Sequence, residues 1–367
     1  MLRFLPFLLL ASAALPLSAQ PLETPVGFAG PTGTLQQTPL RAALVDVRAH
    51  PSVARPWLRV ERSTANVWNS QAPFRTRSGV VATHAVDAQV EGLFLDAGLP
   101  LGRWVSVGGR WGVQQLWGGR LVDEGIEAFH HRFDFYNFSR HLERAGRTEL
   151  RAETDDGGPG LHWMGPRTLL ASPTVSAFLR PLENETTSIQ VRGDLLLPLG
   201  DVSRALRLYG PEAALGVTVW RRFWRVAAVY VGGHALFHGQ AAVAGLTPRN
   251  PQLLGEMSLE LRVLPFATLL LEDRVQSPLY VADAMLLTSQ TLPPRATAYN
   301  AYFTPVNLIS GGARFYFPTR TVVTLWVGED FMLCQACRRF RWSRETNAPD
   351  VSLTLTVEQL FGPPGPR

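Results

Sequence analysis

The feature that most constrains this chain is a long alternation of apolar and polar residues that recurs along it. In DVSLTLTVEQLF, residues 350–361, Val351, Leu353 and Leu355 fall on one side of an extended chain, opposite polar residues. Runs of this kind last about 10 to 15 residues, whereas strands of globular proteins usually have about 5–6. Membrane-crossing strands have about 9–11 residues or more. The pattern therefore favours a transmembrane β-barrel over a soluble β-sandwich.

The connections between these runs alternate between short and long, as in outer-membrane barrels with short periplasmic turns and longer outer loops. The sequence predicts an all-β antiparallel barrel of about twelve strands, with a range of ten to fourteen, and one long, partly helical loop at 118–167. The predicted strands are 57–69, 84–96, 103–117, 168–180, 187–198, 211–221, 224–238, 252–264, 266–278, 303–317, 319–333 and 350–361.

Alternation also predicts which way side chains point, and aromatic residues near strand ends predict interfacial girdles. The predicted lipid-facing residues are Val105, Val107, Val323, Leu325, Leu355 and Val357. The predicted lumen-facing residues are Asp87, Glu91, Arg110, Glu256, Glu260, Arg262 and Glu272. The predicted girdle residues are Trp57, Trp104, Trp117, Phe223, Trp224, Phe266, Phe317 and Phe361.

The chain begins MLRFLPFLLLASAALPLSAQ, in which Arg3 precedes a short apolar core and then small residues. This organisation is typical of a secretory signal peptide, and the core is too short for a spanning helix, which needs about 20 residues. The predicted domains are a signal peptide at 1–19, an outer-membrane barrel at 20–361 and a disordered Pro/Gly tail at 362–367. The expected partners are outer-membrane lipids and, during insertion, the barrel-assembly machinery.

Charge and cysteine content exclude other classes. The 35 basic residues are all arginine and are scattered along the chain, whereas a nucleic-acid-binding protein concentrates them in a patch, so no nucleic-acid partner is predicted. Cys334 and Cys337 form a CxxC pair, which in an exported protein indicates a small disulfide or an unpaired loop pair. Structural zinc usually has four ligands, and no second pair is present, so no cofactor is predicted.

The segment GIEAFHHRFDF, 125–135, most resembles a chemical site, because Glu127 and His130 would share a helix face. Dinuclear metal sites use two Glu-x-x-His motifs with further carboxylates, and one motif is present, so no metal site is predicted. An outer-membrane hydrolase would pair His130 or His131 with Ser139 or Ser106, but no G-x-S-x-G context surrounds either serine. No enzymatic activity is therefore predicted.

The favoured interpretation is a constriction, in which a helical loop enters the barrel and sets its charges against those of the wall. The candidate lumen or constriction residues are Glu124, Glu127, His130, His131, Arg132, Arg110 and Glu91. The predicted function is a narrow pore for passive uptake or binding of a small solute. A solvated outer loop, a lipid or ester hydrolase, and a structural or surface-interaction barrel without transport remain alternatives.

Several segments together resemble one protein family. They are AGPTGTLQQTPL at 29–40, STANVWN at 63–69, VEGLFLDAGLPLGRW at 90–104, DEGIEAFHHRFDF at 123–135 and APDVSLTLTVEQLF at 348–361. Over most of residues 28–361 the chain is similar to a family of bacterial outer-membrane proteins known only as a domain of unknown function. The resemblance implies one barrel-like domain after a signal peptide. It implies no activity and no catalytic residue.

Overall fold

A computed structural model describes the barrel and parts of its loops. The described residues are 55–70, 74–76, 78–118, 124, 128, 132, 146, 148–184, 186–223, 226–240, 245–278, 280–281, 284–286, 305–331 and 351–361. The predicted signal peptide, the Pro/Gly tail, both cysteines and the candidate residues Glu127, His130 and His131 lie outside these ranges.

The described chain consists almost entirely of strands. In chain order they are β1 (Trp57–Ser70), β2 (Phe74–Thr76), β3 (Val81–Pro100), β4 (Val105–Trp117), β5 (Glu149–Thr154), β6 (Leu161–Met164), β7 (Arg167–Leu170), β8 (Thr174–Glu183), β9 (Thr187–Leu196), β10 (Glu212–Phe223), β11 (Ala227–Phe237), β12 (Gln252–Leu264), β13 (Ala267–Gln276), β14 (Ala284–Leu286), β15 (Val306–Tyr316), β16 (Thr321–Phe331) and β17 (Val351–Leu360). A short helix, α1, spans Asp201–Ala205, and the described residues Glu124, Ala128 and Arg132 are also helical. No described helix is long and apolar enough to cross a bilayer.

Twelve of these strands form a closed antiparallel barrel, which confirms the predicted fold. They are β1, β3, β4, β8 to β13 and β15 to β17. The circle closes where β1 pairs with β17, from Trp57 opposite Leu360 to Asn66 opposite Val351. Closure leaves no strand edge in the wall, so backbone groups are bonded within the protein. The end with the short connections is named the turn end, and the opposite end the loop end.

The segment predicted as one long, partly helical loop contains strands in its second half, and the described residues Glu124, Ala128 and Arg132 in its first half are helical. Above β4 the chain makes an insertion and returns as β5, which pairs with β3. β6 then pairs with β5, and β7 and β8 pair in turn with β4. The predicted strand 168–180 is thus two strands separated at 171–173, because Pro173 has no N–H to donate. This break accounts for its weak alternation.

The two faces of the wall differ as the alternation predicts. Leu325 and Val357, among the predicted lipid-facing residues, point outward, and Leu325 is 44% exposed. Trp104, Phe266 and Phe361 are exposed at the turn end, where a girdle is expected. Trp57 was predicted in the girdle, and this is wrong. It points inward and is buried against Phe178, with ring centroids 6.4 Å apart. Trp224 lies outside the described ranges.

Glycines on the inner wall make room for the large side chains beside them. Gly98 lies under the indole of Trp57, and Gly216 lies under the imidazole of His234. A Cβ added at either position would overlap the ring. Interiors of small barrels alternate small and large residues in this way to fill the available width.

Candidate functional site

The inner wall is arranged in layers along the barrel axis. On β12 the inward row runs from Leu254 at the loop end through Glu256 to Glu260, nearer the turn end. On β1 the order is the same, with Ala65 above Glu61. Apolar side chains line part of the loop end, beside the buried pair of Glu212 and His238 (3.1 Å), and most charged side chains lie below them. The charged layer is the candidate site.

Glu260 is the centre of the largest buried network. One carboxylate oxygen accepts hydrogen bonds from Thr268 at 2.7 Å and from the hydroxyl of Tyr316 at 2.5 Å. The other accepts from the hydroxyl of Tyr230 at 2.7 Å and from Arg314 at 2.8 Å. A carboxylate has about four acceptor positions, so these donors occupy them all. The network ties β11, β12, β13 and β15 together.

A second network is centred on Glu256, which lies four residues from Glu260 on β12, nearer the loop end. Its carboxylate accepts from Arg274 at 2.9 Å and lies 3.3 Å from Nε2 of His234. Arg274 also lies 3.3 Å from Glu272, which accepts from the hydroxyl of Ser258 at 2.7 Å. All five side chains are buried. Two carboxylates thus share one guanidinium.

Arg110, a predicted lumen residue, points into the barrel. Its guanidinium binds Asp96 at 2.8 Å and Glu61 at 3.0 Å and stacks 4.2 Å above the ring of Phe94. Its partners come from β3 and from β1, the strand beyond β3, so this network also follows the wall.

Two further ion pairs extend the charged layer around the barrel. Arg59 on β1 binds Glu358 on β17 through two nitrogens, at 2.8 and 2.9 Å. Arg192 binds Asp194 at 2.7 Å, and the hydroxyl of Ser176 donates to the same carboxylate at 2.5 Å. The charged layer therefore includes strands on both sides of the lumen.

Glu91 does not face the lumen, which corrects the prediction. It lies on the outward side of β3 and pairs with Arg62 on β1 at 3.2 Å. The reason is that the apolar face of this part of β3, with Ala88 and Val90, points inward into a buried cluster. Asp87 lies on the same outward side as Glu91.

That buried cluster closes part of the loop end. Its members are Ala65, Val67, Ala88, Val90, Leu116, Leu150, Ala152, Leu161, Leu169, Val202, Leu206 and Leu208. α1 and the residues after it supply Val202, Leu206 and Leu208, so the helix acts as a cap.

The cap is fastened at the break between β7 and β8. The N–H of Leu170 donates to the carboxylate of Asp201 at 2.6 Å. The hydroxyls of Ser172 and Ser203 are 3.0 Å apart, and the N–H of Gly200 donates to Ser172 at 3.0 Å. Residues at the break thus bind α1 and the residue before it through the N–H of Leu170 and the hydroxyl of Ser172.

The remaining candidate residues lie in the insertion after β4. Glu124 and Arg132 are helical and exposed, and Gly118 and Gly146, at the two ends of the insertion, are in contact. Ser106, the proposed partner of a loop histidine, lies at the turn end of β4, opposite this insertion. The constriction role of the insertion stays a prediction.

The two carboxylates of TDDGGPG, 154–160, accept backbone hydrogen bonds that hold a turn. Asp155 accepts from the N–H of Val81 at 2.8 Å, and Asp156 accepts from the N–H of Gly158 at 3.0 Å. Hydrogen bonds from Thr154 and Gly158 lower the pKa of the Asp156 carboxyl. Across the described ranges, no three His, Cys, Asp or Glu side chains are placed to hold a metal ion.

Several members of the charged layer are not identifiable from the sequence pattern. Tyr230, Arg314 and Tyr316 each occupy an inward position within a predicted strand. Their period-two spacing indicates that they point inward. A tyrosine in an otherwise apolar run, however, gives no sign that it binds a carboxylate. α1 had no comparable signal, because five residues are too few for a helical pattern.

Comparison with known proteins finds similar solved structures but no family. No family model and no curated protein matches the chain, so the family resemblance stays a prediction. Among solved structures the chain is similar to the KdgM porin in complex with disordered oligogalacturonate (7% identity, 83% of this chain and 99% of that chain, TM-score 0.39). It is also similar to a Pseudomonas aeruginosa FadL homologue (7%, 84% and 91%, 0.37) and to the CymD monoaromatic hydrocarbon channel (11%, 84% and 89%, 0.36).

The fold itself is established by the strand pairing within the chain. Closure, two-faced strands and an apolar outer surface occur together in barrels that cross a membrane. The protein is a transmembrane antiparallel β-barrel of twelve strands.

Proposed function

We propose that this barrel resides in the outer membrane and forms a narrow path for a small polar solute, closed in the described state. The observation that carries the proposal is the charged layer, in which Glu260, Glu256 and Arg110 each bind partners along the wall. Rings of charge of this kind set the selectivity of pores.

A barrel with a purely structural role does not need a charged interior, because buried charges are costly to desolvate. Replacing buried ion pairs with apolar side chains of similar volume is often neutral or stabilising. A path for a hydrated solute needs polar groups, and wall-following pairs supply them without bridging the lumen. The layer therefore favours transport over a purely structural role.

The described state is closed because inward side chains are buried at the charged layer and at the loop end. Glu260 and Arg314 are both 0% exposed, so water does not reach this network on the wall. The cap formed by α1 covers the apolar cluster above. Displacement of α1 is the simplest opening step that these contacts allow.

Single-channel conductance in planar bilayers tests the proposal. We expect rare, small openings for the wild type and more frequent openings when the cap is loosened by Asp201→Ala with Ser203→Ala. Glu256→Gln with Glu272→Gln should shift selectivity toward anions, because it removes two negative charges from the layer. Arg62→Gln, on the outer surface, is the matched control and should change neither property. Folded, inserted protein that conducts in none of these forms would indicate a structural barrel.

A further inference from the structure

The turn end carries a concentration of arginines that the proposed path does not use. Within three residues of the described turns, the arginines that lie outside the strands or point outward from them are Arg55, Arg103, Arg221 and Arg320. Glu183 is the one acidic residue in the same described positions, and Arg180 already binds it at 2.8 Å. The described part of this end is therefore strongly basic.

Two outward arginines are stacked on aromatic rings near the turns. The guanidinium of Arg103 lies 4.6 Å from the ring centroid of Trp104, and that of Arg221 lies 5.7 Å from the ring of Phe223. Trp104 is 41% exposed. Tryptophan rings favour the headgroup level of a membrane, so this stacking holds the Arg103 guanidinium at the depth of lipid phosphates.

Arg55 and Arg320 flank the end of β17 from its two sides. The N–H of Phe361 donates to the carbonyl of Pro56 at 3.0 Å, and the N–H of Leu360 donates to the carbonyl of Arg320 at 3.3 Å. Burial and the positive charge of Arg320 lower the pKa of Arg55, against an opposing effect of Glu183. The two guanidinium groups therefore repel each other, and an anion between them would relieve this repulsion.

The backbone at Arg320 adds an independent observation. Its φ is +63°, in the left-handed region that glycine adopts at least cost. The turn that imposes this φ is closed by hydrogen bonds between Phe317 and Thr321 at 2.9 Å and between Arg320 and Phe317 at 2.9 Å. The turn thus places a charged side chain where the backbone favours glycine, and such outliers point to a role for the side chain.

We propose that the arginine collar formed by Arg55, Arg103, Arg221 and Arg320 binds the phosphate groups of anionic phospholipids, with Arg55 and Arg320 as its strongest point. Guanidinium groups match phosphate oxygens in a planar, two-pronged geometry. The inference rests on the proposed membrane placement, in which short turns face the periplasmic leaflet.

Native mass spectrometry of the full chain released from nanodiscs tests this inference. The nanodiscs contain equal amounts of phosphatidylglycerol and phosphatidylcholine, and the lipids retained on the protein are counted. We expect phosphatidylglycerol to exceed phosphatidylcholine severalfold on the wild type. Arg55→Gln with Arg320→Asn should remove most of this preference, leaving the part due to Arg103 and Arg221, and asparagine accepts the left-handed backbone. Arg320→Lys alone should keep most of the preference.

The matched control is Arg151→Gln with Arg204→Gln, which removes the same charge from exposed positions at the loop end. The collar inference is overturned if the control abolishes the preference as fully as the collar variant, or if the collar variant keeps it. Displacement of phosphatidylglycerol by millimolar inorganic phosphate would also overturn it, in favour of a site for soluble anions. Loss of the preference at high salt would support it, since exposed charges are screened.

Failure of this inference is distinguishable from failure of the proposed function. A chain that does not insert, and so shows no heat-modifiable migration and no protection from protease in vesicles, contradicts the membrane placement. An inserted, heat-modifiable chain without a headgroup preference contradicts the collar alone.

Discussion

The guanidinium of Arg314 lies 2.8 Å from the carboxylate of Glu260, inside the barrel and away from solvent. Breaking a buried pair by removing one partner leaves an uncompensated charge, which costs about 3–5 kcal/mol. We expect Arg314→Met to lower the free energy of unfolding by about this amount. Urea unfolding in detergent micelles measures the change.

The control for this prediction is the pair of Arg204 and Asp201 in α1 at the loop end, whose side chains are 61% and 36% exposed. Arg204→Met should change the free energy of unfolding by about 0–1 kcal/mol, as exposed ion pairs contribute little. Equal effects of Arg314→Met and Arg204→Met would contradict the assignment of Arg314 to a closed interior.

Glycine packing inside the barrel makes a second prediction. Gly216→Ala places a methyl group against the ring of His234, whereas Gly233→Ala, on the next strand, meets no atom within 4 Å. Overpacking costs about 1–3 kcal/mol, so Gly216→Ala should lower the unfolding midpoint and Gly233→Ala should not. If both variants unfold at the same denaturant concentration, the ring does not occupy the space above Gly216.

The outer surface makes a third prediction, which depends on depth. Leu325 lies in the middle of β16, and Leu264 ends β12 beside a turn; both point outward and are exposed. Arginine on a lipid-facing site costs about 2–4 kcal/mol at the midplane and about 0–1 near the interfaces. Leu325→Arg should therefore destabilise the protein in vesicles far more than Leu264→Arg. The same cost at both positions would argue against a membrane around β16.

The cap makes a fourth prediction, which protease digestion can check without any conductance measurement. Asp201→Ala removes the acceptor for the N–H of Leu170, so α1 should open more often and be cleaved faster in intact vesicles. Arg204→Gln removes the exposed partner of the same carboxylate, 3.1 Å away, and serves as the control. Cleavage of α1 at an unchanged rate in Asp201→Ala would show that this hydrogen bond does not hold the cap.

Most of the wall could be predicted from the sequence because lipid and a polar interior impose alternation on every strand. β12 begins and ends at the predicted residues, and β17 differs from its prediction by one residue at each end. Alternation shows which residues of a strand share a face, but it does not show whether that face points inward or outward. For this reason the sequence predicts the wrong side of the wall for Glu91. Above the membrane an apolar row can face inward, as Ala88 and Val90 do.

Elements outside the membrane were less predictable for a related reason. β5 and β6 have six and four residues, too few to distinguish a strand from a loop by period alone. They form because β3 continues past the wall and offers unpaired backbone groups. The partner of each buried charge could not be predicted either, because the stagger between neighbouring strands decides which inward side chains are in contact.

The pairing of β1 with β17 has a consequence for how the molecule is made. Arg59 and Glu358, which join these strands, are separated by 299 positions in the chain. Pairings of such high contact order form slowly, because the entropy of closing the loop is lost before the contact is gained. Until β17 arrives, β1 and β16 remain as two open edges ready to bind other strands. The final strand thus converts an aggregation-prone sheet into a finished ring, and a truncation before Val351 should yield insoluble aggregates rather than a smaller pore.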